Sequence, residues 1–92
     1  MNFSSREMLA RLVAFPTVSS SSNLDCISFI RDYLGNHGIE SSTVPSPDGT
    51  KANLYATVGP SVEGGVVLSG HTDVVPVEGQ AWSSDPFILT ER

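Results

Sequence analysis

A short apolar run at residues 66–68 (VVL) constrains the fold of this chain more than any other feature. Contiguous apolar residues predict a strand that is buried on both faces, since a strand with one wet face alternates apolar and polar residues. Such a strand needs other elements to cover it on two sides. Ser69 and Gly70 end the run, and His71 and Asp73 follow two positions apart, so that their side chains can point the same way.

Length and composition are typical of one small globular domain. The 92 residues are 39% hydrophobic, and Gly and Pro are too few to indicate disorder. Ten acidic and five basic residues give a net charge of −5, which opposes binding to nucleic acid or to an anionic membrane. Residues 1–9 lack the apolar core of a secretory signal, and no run is long enough to span a bilayer. We therefore expect a cytoplasmic protein with no nucleic-acid or membrane partner.

Two amphipathic helices are predicted in the first 38 residues. Ser4 and Glu7 have capping-box spacing, and the helix that follows ends before Pro16, with an apolar face formed by Met8, Leu9, Leu12 and Val13. Ser22 and Asp25 repeat the capping-box spacing ahead of a second helix, whose core side is formed by Leu24, Ile27, Ile30 and Leu34. Gly38 suits the left-handed position that ends this helix.

The remainder of the chain is predicted to form strands. Residues 39–44 and 53–58 read as strands on either side of a turn at residues 45–50. The short connection at residues 59–64 predicts that residues 65–69 return antiparallel to residues 53–58 as a β-hairpin. The fold class is therefore α/β: part of a three-layer α/β arrangement with a mixed sheet that contains a β-hairpin, flanked by two N-terminal helices.

His71 and Asp73 are the candidate site, just past the carboxyl end of the predicted third strand. A neutral imidazole is a good donor to zinc, cobalt or nickel, and a nearby carboxylate either binds the metal or holds the ring in its metal-binding tautomer. Both roles are open to Asp73. A His-x-Asp pair is common in proteins, so a structural interpretation as a capped strand end also stays open.

A longer string around this pair resembles a known family. Residues 69–76 (SGHTDVVP), followed by Trp82 and by residues 85–87 (DPF), are similar to the di-zinc amidohydrolase and exopeptidase family. Its members include acetylornithine deacetylases, succinyl-diaminopimelate desuccinylases, aminoacylases and glutamate carboxypeptidases. Three flanking segments most resemble the acetylornithine deacetylase branch: residues 6–17 (REMLARLVAFPT), 49–59 (GTKANLYATVG) and 80–90 (QAWSSDPFILT).

The resemblance implies a role for each residue of the pair. His71 is expected to be a ligand of one of two zinc or cobalt ions, and Asp73 is expected to be the catalytic-site carboxylate that orients its imidazole. The family's other metal ligands and its general base have no counterpart in this chain, and Glu78, Asp85 and Glu91 match no ligand position. We therefore expect residues 1–92 to be the N-terminal portion of a catalytic domain. By themselves they should be inactive and should bind metal weakly or not at all.

The resemblance also implies a reaction and its partners. A homodimeric parent enzyme would hydrolyse a small N-acylated amino acid, N2-acetyl-L-ornithine, to ornithine and acetate in arginine biosynthesis. A desuccinylase or dipeptidase of the same family is the alternative within this chemistry. The alternative of another class is a non-catalytic folding or interaction module, which would self-associate through an exposed sheet edge or apolar face.

Other chemically notable residues are expected to be structural. Cys26 lies near the start of the second helix, but no partner histidine follows in the pattern of a cysteine hydrolase, which favours packing. His37 lies at a helix C-terminus, where a histidine interacts favourably with the helix dipole. Trp82 either lines a substrate pocket or, as we expect, packs as an anchor. Residues 19–22, all serine, read as a flexible loop and cap.

Overall fold

The first helix forms where the capping pattern predicts it. A computed structural model describes residues 2–91, in which α1 spans Ser5–Val13. Glu7 N donates a hydrogen bond to the Ser4 hydroxyl at 3.1 Å, and Ser4 N donates to the Glu7 carboxylate at 3.3 Å. The capping box is therefore confirmed. The predicted apolar face is formed only in part, because the Leu9 side chain is 51% exposed.

The second helix, α2, spans Leu24–Asn36 and packs on the N-terminal region through aromatic rings. The ring centroids of Phe3 and Tyr33 are 5.5 Å apart, as are those of Phe15 and Phe29. The C-terminal end is as predicted, since Gly38 has a φ of 73° in the left-handed region.

The start of α2 differs from the prediction. Asn23 is the N-cap residue, and its side chain makes no capping hydrogen bond. Its amide instead donates to the Ala52 carbonyl at 3.0 Å and accepts from Ala52 N at 2.9 Å. Within residues 2–91 the only hydrogen bond that the Ser22 hydroxyl accepts is from Leu24 N, at 3.2 Å. The predicted capping box of Ser22 and Asp25 is therefore wrong, because Asn23 rather than Ser22 is the N-cap residue and its side chain binds the backbone of β2.

A β-hairpin follows α2. Strands β1 (Ser41–Pro45) and β2 (Ala52–Ala56) pair in antiparallel fashion along their whole length. The turn between them lies where the sequence predicts it. The hydroxyls of Ser46 and Thr50 donate to the Asp48 carboxylate at 2.7 and 2.8 Å, which shapes the turn from within.

Residues 65–69 do not form the predicted third strand. The side chains of Val66, Val67 and Leu68 are 86%, 81% and 93% exposed, and β2 pairs with β1 instead. A strand buried on both faces needs cover on both sides, and two helices with one hairpin do not supply it. The predicted strand and its pairing with residues 53–58 are therefore wrong. The α/β class, with two N-terminal helices and a hairpin, is confirmed.

The buried core lies where α2 meets β2. Cys26 and Ile27 on the helix and Ala52 on the strand are 3%, 6% and 7% exposed. Burial of Cys26 is consistent with the packing role expected for it. Within residues 2–91 the only parallel pairing is an isolated bridge between Val18 and Val74, so the named sheet is antiparallel rather than mixed. None of the helices in this range combines the length and apolarity needed to cross a membrane.

Candidate metal centre

Two short segments, residues 17–19 and 71–74, lie side by side and support the candidate site. Val74 N donates to the Thr17 carbonyl at 2.9 Å, and Ser19 N donates to the Val74 carbonyl at 2.9 Å. The Thr17 hydroxyl donates to the Thr72 carbonyl at 2.5 Å, and Thr17 is only 7% exposed. These bonds fix the backbone on both sides of Asp73, although neither segment belongs to a regular strand.

The structure brings His71 and Asp73 into direct contact. His71 Nδ1 lies 2.9 Å from Asp73 Oδ1 and 2.9 Å from the Asp73 carbonyl oxygen. An ionised carboxylate and a carbonyl can only accept hydrogen bonds, so Nδ1 must carry the proton that they share. In the neutral ring, Nε2 then keeps its lone pair, which is the form that binds a metal.

Ser19 holds the other oxygen of the same carboxylate. Its hydroxyl lies 3.1 Å from Asp73 Oδ2, opposite the oxygen that contacts His71. This hydrogen bond from Ser19, together with the hydrogen bond and charge of His71, holds the pKa of Asp73 below its usual value of 3.8. Asp73 is therefore ionised at neutral pH, as the orientation of the imidazole requires.

The exposure of the pair and the residues around it bear on whether a metal could bind here. The side chains of His71 and Asp73 are 82% and 56% exposed, so an ion and further ligands can approach. Among residues 2–91, no group of three His, Cys, Asp or Glu side chains could hold a metal ion. Catalytic zinc takes about three protein ligands. The residues present would thus supply one nitrogen ligand, His71, and the carboxylate that orients it, Asp73.

Two cavities meet at His71. One, of about 650 Å³, lies between α2, the hairpin and the His71 segment, and Asn23 and Lys51 contribute polar atoms to it. The other, of about 380 Å³, is mainly apolar and is lined by Trp82 and Phe87 among others. The imidazole therefore borders both a polar and an apolar space, each large enough for a small molecule.

The other candidate residues lie apart from this pair or have other partners. The Glu91 carboxylate forms an ion pair with Arg6 at 2.7 Å, and an Asp85 oxygen accepts from Phe87 N at 2.9 Å. The His37 ring lies 4.7 Å from that of Tyr33. Each of these contacts is structural. Glu78 also belongs to no group of potential metal ligands in the described range.

The remaining two expectations concern Cys26 and Trp82. Burial raises the pKa of the Cys26 thiol, which disfavours the thiolate that a nucleophile needs. The Trp82 indole donates to the Val77 carbonyl at 3.2 Å, but the residue is 51% exposed and lines the apolar cavity beside His71, so the packing role and the pocket role both stay predictions.

The sequence analysis missed the roles of Thr17 and Ser19: it gave Thr17 none and assigned Ser19 to a flexible loop and cap. Both contact the residues around Asp73, more than 50 positions later in the chain. One signal could have found them: Thr17 and Ser19 alternate about Val18 with the period of two that is typical of an extended, paired segment.

Comparison with known proteins gives relatives over nearly the whole chain. The chain is 39% identical over 93 residues to acetylornithine deacetylase of Pasteurella multocida and to that of Photorhabdus laumondii, and 40% identical over 94 residues to that of Proteus mirabilis. Each match covers 94% of this chain and 24% of the relative, so the chain spans about a quarter of the length of these relatives. No protein-family model and no solved structure matches. The resemblance to acetylornithine deacetylases is confirmed.

Proposed function

We propose, from the homology of this chain to acetylornithine deacetylases, that it contributes one ligand to the metal centre of a deacetylase. His71 would bind the ion through Nε2, and Asp73 would hold the ring in position. The observation that carries this proposal is the 2.9 Å contact between His71 Nδ1 and Asp73 Oδ1, which in the neutral ring places the proton on Nδ1 and leaves Nε2 as the metal-binding nitrogen.

The reaction we propose is hydrolysis of an amide bond in an N-acylated amino acid. Water adds across the bond, so that N2-acetyl-L-ornithine gives acetate and ornithine. A zinc or cobalt ion, when bound, would supply Lewis-acid polarisation of the acyl carbonyl. The relatives are acetylornithine deacetylases, which supports this substrate. A place in arginine biosynthesis, a cytoplasmic location and a homodimeric enzyme stay predictions, as does a desuccinylase or dipeptidase activity.

The chain's own residues would perform part of this task. Asp73 keeps the proton on Nδ1 of His71, and the bonds of residues 17–19 keep Asp73 in place. The remaining ligands of two ions and the general base would come from outside the 92 residues, because residues 2–91 hold no group of three side chains that could bind a metal ion. We therefore expect these 92 residues alone to show no deacetylase turnover. Turnover comparable to that of a complete deacetylase would contradict the proposal.

The two histidines provide a matched test of the metal ligand. We use the term natural protein for the complete deacetylase that would carry these 92 residues. His71→Ala in the natural protein should remove bound metal and leave the fold intact, because the ring is exposed and contributes little packing. His37→Ala should keep the metal, since His37 packs on Tyr33. Elemental analysis and circular dichroism measure the two effects. Unchanged metal content in His71→Ala would refute the assignment.

A non-catalytic interaction module is the second candidate, and one observation favours it. Val66, Val67 and Leu68 form an exposed apolar run that is long for a protein surface. If this run mediates self-association, light scattering should show dimers or larger species of the 92-residue chain. A strictly monomeric chain at high concentration would argue against this candidate.

A further inference from the structure

We propose that Ser19 is a positioning residue for the metal ligand: its hydroxyl holds the Asp73 carboxylate in the orientation that meets the His71 imidazole. This inference rests on the proposed function, in which His71 binds a metal. It adds a residue that lies 52 positions before His71 in the chain.

The carboxylate of Asp73 is held from two sides. Oδ1 contacts His71 Nδ1 at 2.9 Å, and Oδ2 accepts from the Ser19 hydroxyl at 3.1 Å. The last torsion of an aspartate side chain is broad in its preference, so a partner on each oxygen restricts the carboxylate more than one partner does. Without Ser19, the Asp73 carboxylate would be oriented only by the His71 imidazole, which is the ring that this carboxylate has to orient.

The backbone of Ser19 is also fixed. Its N–H donates to the Val74 carbonyl at 2.9 Å, and the Lys51 ammonium donates to its carbonyl. The neighbouring Val18 forms the parallel bridge with Val74. The position of the hydroxyl beside Asp73 therefore follows from the pairing of the two segments.

The Ser19 hydroxyl has a second possible acceptor, the Val74 carbonyl, which also lies at 3.1 Å. It carries a single proton and can donate to one acceptor at a time. The charged carboxylate is the stronger acceptor, because hydrogen bonds to ionised groups are shorter and stronger than those to neutral groups. The bond to Asp73 is thus favoured while Asp73 is ionised.

The effect on metal affinity should be modest. Loss of a group that directly orients a metal ligand typically costs about 10- to 100-fold in affinity. Ser19 acts one residue further away, through an exposed hydrogen bond for which water competes. We expect Ser19→Ala to weaken metal binding by about 3- to 10-fold, below that typical range.

The chain offers a matched control and a rescue for this test. Ser20→Ala removes a hydroxyl from the next residue, which is exposed and has no hydrogen bond in the described part of the structure. Ser19→Thr keeps the hydroxyl. Cobalt titration of the metal-free natural protein gives the affinity. Nitrogen-15 shifts of the His71 ring give its tautomer at a pH where the ring is neutral, with the signal assigned by its loss in His71→Ala.

We expect Ser19→Ala to lower cobalt affinity and to move the His71 ring from the Nδ1–H form towards the Nε2–H form. Ser20→Ala and Ser19→Thr should match the unaltered protein in both measurements. An unchanged tautomer in Ser19→Ala would overturn the inference, even if affinity fell, because the loss would then arise from the fold. If the unaltered protein bound no cobalt, the proposed function would fail, while the tautomer comparison would still decide the role of Ser19.

Discussion

The half-buried amide of Asn23 should contribute substantially to the stability of the fold. It makes two hydrogen bonds to the backbone of Ala52, at 3.0 and 2.9 Å, and so joins the start of α2 to the start of β2. Ala52 lies opposite Pro45 in the hairpin. The next pair towards the turn is hydrogen-bonded, since Ser46 N donates to the Lys51 carbonyl at 2.8 Å. Because hydrogen-bonded and non-hydrogen-bonded pairs alternate, the N–H and carbonyl of Ala52 face away from β1, and Asn23 supplies the partner for both.

Asn23→Ala should therefore cost about 2 kcal/mol in the free energy of unfolding. Each hydrogen bond contributes a net 0.5–1.5 kcal/mol, roughly, and Ala52 is only 7% exposed, so water replaces the lost partners poorly. Because the Asn23 side chain makes no capping bond to α2, no helix-capping loss is added. In a domain of this size, the cost corresponds to a fall in Tm of about 8–16 °C.

Urea unfolding followed by circular dichroism and by the fluorescence of the single tryptophan, Trp82, measures this cost. Asn53→Ala is the control, since Asn53 is an exposed residue of β2 with no side-chain hydrogen bond in the described structure; it should change stability by less than about 0.5 kcal/mol. If Asn23→Ala lost no more stability than Asn53→Ala, the reasoning would be refuted.

Two further predictions concern titratable side chains. Hydrogen bonds from Ser46 and Thr50 lower the pKa of Asp48 from 3.8 to about 2, so its contribution to stability is present above the unfolded pKa and is lost as pH falls from about 4 to about 2. The urea midpoint of the unaltered chain should thus fall more steeply over that range than that of Asp48→Asn, and parallel curves would contradict this. Burial raises the pKa of Cys26, so iodoacetamide at mildly alkaline pH should label it slowly until urea unfolds the chain; rapid labelling of the folded chain would show that the thiol is accessible.

Features set by neighbouring residues were predictable from the sequence. The Ser4–Glu7 capping box and the glycine that ends α2 both depend on local hydrogen bonds and backbone angles. The turn at residues 45–50 was also predicted, because Pro, Asp and Gly favour turns for local reasons. The same rules wrongly predicted a capping box at Ser22, where a partner distant in sequence, Ala52, binds the intervening Asn23.

Features set by distant partners were not predictable in the same way. Both the turn at residues 45–50 and the connection at residues 59–64 contain Gly and Pro. From this pattern alone, the β-hairpin was predicted at the second connection, between residues 53–58 and a third strand at residues 65–69. In the structure the first turn joins the paired strands, and residues 66–68 are exposed. The motif identified His71 and Asp73, but the supporting bonds from Thr17 and Ser19 arise only from tertiary contact.

The central claim is that His71 binds a catalytic metal through Nε2 while Asp73 holds Nδ1. An anomalous difference map at the zinc absorption edge, from crystals of the natural protein grown with zinc, tests it most directly. We expect a zinc peak about 2.0–2.1 Å from His71 Nε2, with Nδ1 still within hydrogen-bond distance of Asp73. A metal bound at Nδ1, or zinc bound elsewhere with none beside His71, would contradict it.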